Sequence, residues 1–133
     1  MKRGVVFGTF DHFHPGHEWF LLQASKQCNH LTVIVAHDAD VEKRKGRMPS
    51  QPLAKRIKNV QLFLPLATVC AGDTRERQWS VLNHEHIDVC VIGYDQTGLR
   101  NAIEEFQQQH QQPFAIIQLG SYFPEKYKTS LYV

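Results

Sequence analysis

Short uncharged runs alternate with amphipathic stretches along this chain, and that alternation predicts its elements. Val5-Val6-Phe7 reads as a buried strand ending at Gly8. Leu31-Thr32-Val33-Ile34-Val35-Ala36 is β-branched and free of charge, as a strand covered on both faces should be. Thr68-Val69-Cys70-Ala71, Val89-Cys90-Val91-Ile92 and Phe114-Ala115-Ile116-Ile117 supply three more. Between them the apolar period lengthens to that of helices. One runs from Pro15 to about Cys28, turning Trp19, Phe20, Leu21 and Leu22 toward a core. A second starts near Pro52, with Leu53, Ile57, Val60 and Leu64 on one side. A third holds Trp79 and Leu82, and a fourth carries Leu99, Ala102, Ile103 and Phe106 before the Gln-rich stretch Gln107 to Gln112. The charged segment from His37 to Ser50, with Gly46 and Pro49, reads as a loop.

Strand-helix alternation of this kind predicts an α/β fold: a Rossmann-like, open, parallel five-stranded sheet with helices on both faces. The 133 residues fit a single domain, 1–133. Ligands of such sheets bind beyond the carboxyl ends of the strands. Gly8 to His17, His37 to Arg47 and Gly93 to Gln96 each follow such an end, so three polar loops are expected to meet at one edge.

Composition narrows the class. Hydrophobic residues make up 42% of the chain, enough for a core, yet no run nears the ~20 residues of a membrane span. No secretory leader pattern is present, and a cytoplasmic protein is expected. Cys28, Cys70 and Cys90 form no CxxC pair; Cys70 and Cys90 are expected to be small buried hydrophobes. A net charge of +2 does not suggest a nucleic-acid partner. The cations cluster nonetheless: Lys43, Arg44, Lys45 and Arg47 lie within five positions and suit a small polyanion.

The densest chemistry is in Gly8-Thr9-Phe10-Asp11-His12-Phe13-His14-Pro15-Gly16-His17. Pro15 costs nothing in a helix's first turn, and Gly16 allows close approach to the backbone. Free amides there favour phosphate oxygens. His14 and His17, three apart, can share one side of that turn and donate hydrogen bonds. A metal site of Asp11, His12, His14 and His17 is allowed by spacing, but Pro15 disturbs the geometry, and none is expected.

These residues resemble the nucleotidylyltransferase superfamily, with its HxGH hallmark after the first strand. The longer match, GTFDxxHxGH, points to the cytidylyltransferase-like branch. The resemblance implies that His14 and His17 stabilise an α-phosphate under attack while pyrophosphate leaves, with Lys45 as a third catalytic residue. It implies nucleotide contacts from Gly8, Thr9, Phe10, Arg56, Gly93, Asp95, Gln96, Thr129 and Ser130. Lys126 or Lys128 would stand in for an arginine that the branch carries before Thr129. Asp11, Asp38, Lys43, Arg44 and Arg47 would serve the acceptor. Mg²⁺ or another divalent cation would come with the triphosphate, and relatives are commonly homodimers.

Val35-Ala36-His37-Asp38, the segment Val41 to Pro49 and Gly93-Tyr94-Asp95-Gln96 are similar to archaeal-type FAD synthases, which are FMN adenylyltransferases. The reaction so implied is ATP plus FMN giving FAD. Two alternatives remain: CTP with glycerol 3-phosphate as in glycerol-3-phosphate cytidylyltransferases, or a nucleotide-binding module without catalysis.

Overall fold

The structure, a computed structural model, describes residues 1–74 and 78–120. Five strands, β1 (Arg3–Gly8), β2 (His30–Val35), β3 (Thr68–Ala71), β4 (Val89–Ile92) and β5 (Ala115–Gln118), form one parallel sheet in the order β3-β2-β1-β4-β5. Five helices join them: α1 (Pro15–Ser25), α2 (Asp38–Lys45), α3 (Leu53–Phe63), α4 (Ser80–His84) and α5 (Thr97–His110). The expected α/β sheet is present. Its strand order reverses between β1 and β4, which is where such sheets bind ligands.

Adjacent residues of β1 face opposite ways and seed two cores. Val6 joins Val33, Val35, Val89 and Val91 beneath α1 and α3, meeting Leu21, Ala24 and Val60. Val5 joins Ile34, Cys90 and Ile92 beneath α4 and α5, meeting Leu82, Ile103 and Phe106. Gly8 lies level with Val35 in the β1–β2 register. The chain therefore leaves both strands at the same height, and the loops after them start side by side.

Two expectations need correction. Residues 38–45 form a helix, not a loop. The His37 side chain accepts from the Ala39 amide at the N-terminus, and Gly46 closes the C-terminus at φ 77°, a left-handed conformation glycine takes without strain. Asp38 and Asp40 at the start and Lys43, Arg44 and Lys45 at the end also match the helix dipole. Cys70 is exposed because β3 is an edge strand, whereas Cys90, in β4, is buried as expected. Among the described residues, no helix is long and apolar enough to cross a membrane.

Candidate active site

The loop between β1 and α1 is unusual backbone. Phe10 and His12 both have positive φ, 53° and 51°, at a cost of ~1–3 kcal/mol each in non-glycine residues. Packing holds the turn. The Phe10 ring is 4% exposed and folds back over Gly8, where a Cβ would come within 2.7 Å of it. Gly8 is therefore required for close approach of an aromatic ring. The Phe10 ring also packs against His17, edge to face, with centroids 5.5 Å apart.

His14 ends this loop and caps α1. Its Nδ1 accepts a hydrogen bond from the Gly16 amide at 3.1 Å. An accepting Nδ1 leaves the ring proton on Nε2, so the neutral ring has a donor on its far side. His17 stacks on it, with centroids 3.7 Å apart and the planes 23° from parallel. Burial, the His14 ring and Lys45 press the His17 pKa down to about 3 against an opposing pull from Asp11. The pKa of His14 is lowered too, by burial and then by His12. Both rings are neutral at physiological pH, and each can donate one N–H to a phosphoryl oxygen.

One cavity of about 1100 Å³ opens above this pair at the carboxyl edge of the sheet. Gly8, Thr9, Phe10, His14 and His17 line it from the first loop, Arg44 and Lys45 from α2, and Gly93, Asp95 and Gln96 from the loop after β4. Desolvation and the neighbouring Arg44 lower the Lys45 pKa, with Asp11 opposing. The Gln96 amide spans the strand-order reversal: it accepts from Gly93 N at 2.8 Å and donates to Phe7 O at 2.9 Å. Its side chain thus holds the loop, and the cavity is bounded by backbone it has fixed.

Other expected contacts lie elsewhere. Arg56 is fully buried, not facing the cavity. Its guanidinium donates to the carbonyls of Gln51 (3.0 Å), Thr9 (2.9 Å) and Ala36 (2.8 Å) and to the Asp38 carboxylate. It binds the backbone around the site, and two of its partners, Thr9 and Ala36, line the cavity. Asp38 is its partner. Asp11, 8% exposed, accepts from the amides of Ser50 and Gln51 at 2.8 and 3.0 Å and so anchors the chain entering α3. Lys43 and Arg47 are exposed and stand outside the cavity wall. Thr129 and Ser130 lie outside the described residues. Trp79, which the sequence marked only as a helix residue, lines the cavity.

Neutral paired donors at a helix start, a lysine arm and a loop crossing the strand-order reversal define a nucleotidyltransferase. The chain belongs to the cytidylyltransferase-like family, whose model matches residues 5–130. It is 34% identical over 103 residues to an FAD synthase of Thermococcus sibiricus, covering 77% of this chain and 70% of that protein. An FAD synthase of Pyrococcus horikoshii is 38% identical over 94 residues, 71% of this chain and 64% of that one. One from Methanohalophilus mahii is 31% identical over 120 residues, 90% and 82% of the two chains. The fold is also that of a lipopolysaccharide core biosynthesis protein from Thermoplasma volcanium, with a TM-score of 0.79 at 22% identity over 92% of this chain and 98% of that one. A protein of unknown function from Archaeoglobus fulgidus has a TM-score of 0.72 at 16% identity, covering 90% of each chain.

Proposed function

We propose that this protein transfers AMP from ATP to FMN, forming FAD and releasing pyrophosphate. A phosphate oxygen of FMN attacks the α-phosphorus of ATP. The bond from that phosphorus to the bridging oxygen of pyrophosphate breaks, and the electron pair leaves with pyrophosphate. No covalent bond to the protein is needed, so the work is positioning and charge stabilisation. The His14 Nε2–H and an N–H of His17 donate to the α-phosphate oxygens as negative charge builds there. Lys45 neutralises charge on the phosphates, and Thr9 holds them in line.

The observation that carries this reading is the stacked His14–His17 pair on the cavity wall, with Lys45 lining the same cavity. The similarity to FAD synthases supports the choice of ATP and FMN. Mg²⁺ suits this donor set as a companion of the triphosphate: Asp40, Asp73, Glu85 and Asp95 line the cavity, and no group of three His, Cys, Asp or Glu among the described residues could hold an ion. Bound in that way it would shield the charge of the triphosphate. We place the protein in the cytoplasm as a homodimer, which light scattering would check.

Pyrophosphate release measured for ATP and CTP against FMN and glycerol 3-phosphate tests the assignment. Release with ATP plus FMN alone is expected. Release with CTP plus glycerol 3-phosphate instead would transfer the assignment to that reaction, and nucleotide binding without release in any pair would leave a binding module.

A further inference from the structure

The cavity is larger than the phosphate site requires. From His14 and His17 it continues down the α4–α5 face of the sheet, past Phe7 and Ile34 to Thr32 and Cys70. The core on this face takes Ile34 from β2 and nothing from β3. Among the described residues no helix closes over that corner, and Cys70 stays exposed there. The result is a recess joined to the phosphate end, in which Phe7, Ile34 and Trp79 give an apolar patch and Thr32, Thr68, Ser80 and His84 add polar groups at the margin.

Trp79 forms its wall. It sits just before α4 in a left-handed conformation, φ 54° and ψ 41°, which a tryptophan adopts only when its surroundings enforce it. Two contacts do so. The indole packs edge-on against Phe7, centroids 5.5 Å apart at 81°, and against Phe106 at 6.4 Å. The next residue is pinned as well, with Ser80 N donating to the Asp73 carboxylate at 3.0 Å. A rigid indole in an apolar patch is a stacking platform already ordered before a ligand arrives.

Glycerol would leave the Phe7, Ile34 and Trp79 patch wet. A fused planar ring system would cover that patch while its phosphate reached His14 and His17. We propose that the recess is the acceptor's ring pocket, in which Trp79 over Ile34 selects a phosphate ester bearing a flat aromatic ring system over a phosphorylated polyol. The proposal rests on the reading of this site as a nucleotidyl-transfer site with FMN as acceptor.

Steady-state kinetics of FAD formation with W79A, W79F and T32F test it, alongside riboflavin binding followed by flavin fluorescence. T32F fills the recess from a strand position that tolerates an aromatic. Stacking on an aromatic side chain is typically worth ~1–3 kcal/mol, so W79A should raise KM for FMN roughly tenfold or more. KM for ATP should stay within about twofold, W79F should restore most of the loss, and T32F should behave as W79A does. FAD formation with a KM for FMN untouched by W79A and T32F overturns the ring pocket and leaves the reaction standing. Riboflavin binding weakened by W79A, with no FAD formed by the unaltered protein, keeps the pocket and removes the reaction. T32F that dissociates a dimer without changing KM would make the recess an interface between copies, which also overturns the proposal.

Discussion

Replacing Arg56 separates two roles that an arginine next to a phosphate site could play. In R56A the buried guanidinium disappears, and with it three hydrogen bonds to backbone carbonyls and the ion pair with Asp38. Hydrogen bonds to charged groups contribute ~1.5–3 kcal/mol each, while breaking a fully buried ion pair costs ~3–5 kcal/mol. The Asp38 side chain is 24% exposed, so solvent takes up part of its unpaired charge. Because these bonds share one donor and do not add, a loss of about 3–5 kcal/mol is expected. R56K keeps the charge, but an ammonium lacks the planar fork that reaches Gln51, Thr9, Ala36 and Asp38 together, and about 2 kcal/mol should go. Urea unfolding reads both, and ATP affinity measured under conditions where each variant is folded gives the second axis. Binding should weaken in proportion to the lost stability, because Thr9 and Ala36 are no longer tied. An R56A protein within about 1 kcal/mol of wild type that nonetheless fails to bind ATP would refute this and make Arg56 a phosphate ligand.

Other expectations follow from the same geometry. H17A should lower kcat by roughly 10²–10³, the usual effect of removing one donor to developing charge, with its far-UV circular dichroism unchanged; a drop of less than threefold in single-turnover rate argues against the role. His17 is also a pH reporter: its pKa is about 3 in the fold and near 6.5 when unfolded, so between those values only the unfolded chain takes the proton. Stability should fall as pH drops from 6.5 toward 3, with this residue contributing a slope of at most about 1.4 kcal/mol per pH unit; H17N should flatten a series of urea midpoints across that window, and an unchanged slope contradicts the burial. G8A should cost about 1–3 kcal/mol and disturb kcat as well, since its Cβ would displace the ring under His17; unfolding and rate measured together would show a silent substitution if that packing were wrong.

The sheet was legible because its strands read as short uncharged runs, whether fully buried as in β4 or largely exposed as in β3; Thr68–Ala71 and Val89–Ile92 agree with the observed strands to the residue. The β1–α1 loop was legible because its residue types are tied to one local geometry. Helix α2 was not, since Val41 is its single buried residue and no apolar period exists to reveal it. Its signals are end effects: a capping His37, acids first, bases last and Gly46. The hydrogen bonding of Arg56 was illegible for a different reason. Its partners, Thr9 and Ala36, are 47 and 20 positions away, and local sequence cannot distinguish an arginine aimed at phosphate from one aimed at backbone carbonyls. Trp79 was missed as a cavity residue because its place there depends on contacts with Phe7 and Phe106, far away in sequence. Cys70 failed through strand order, which determines that β3 is an edge.

In the proposed reaction the α-phosphate of ATP passes to FMN at the His14–His17 pair. Following ³²P from the α-position of ATP in a single turnover with FMN tests it most directly. Label in FAD, unlabelled pyrophosphate in equal amount, and loss of both in H17A are expected. Label that stays in ATP with FMN, yet moves to glycerol 3-phosphate from CTP, would contradict it.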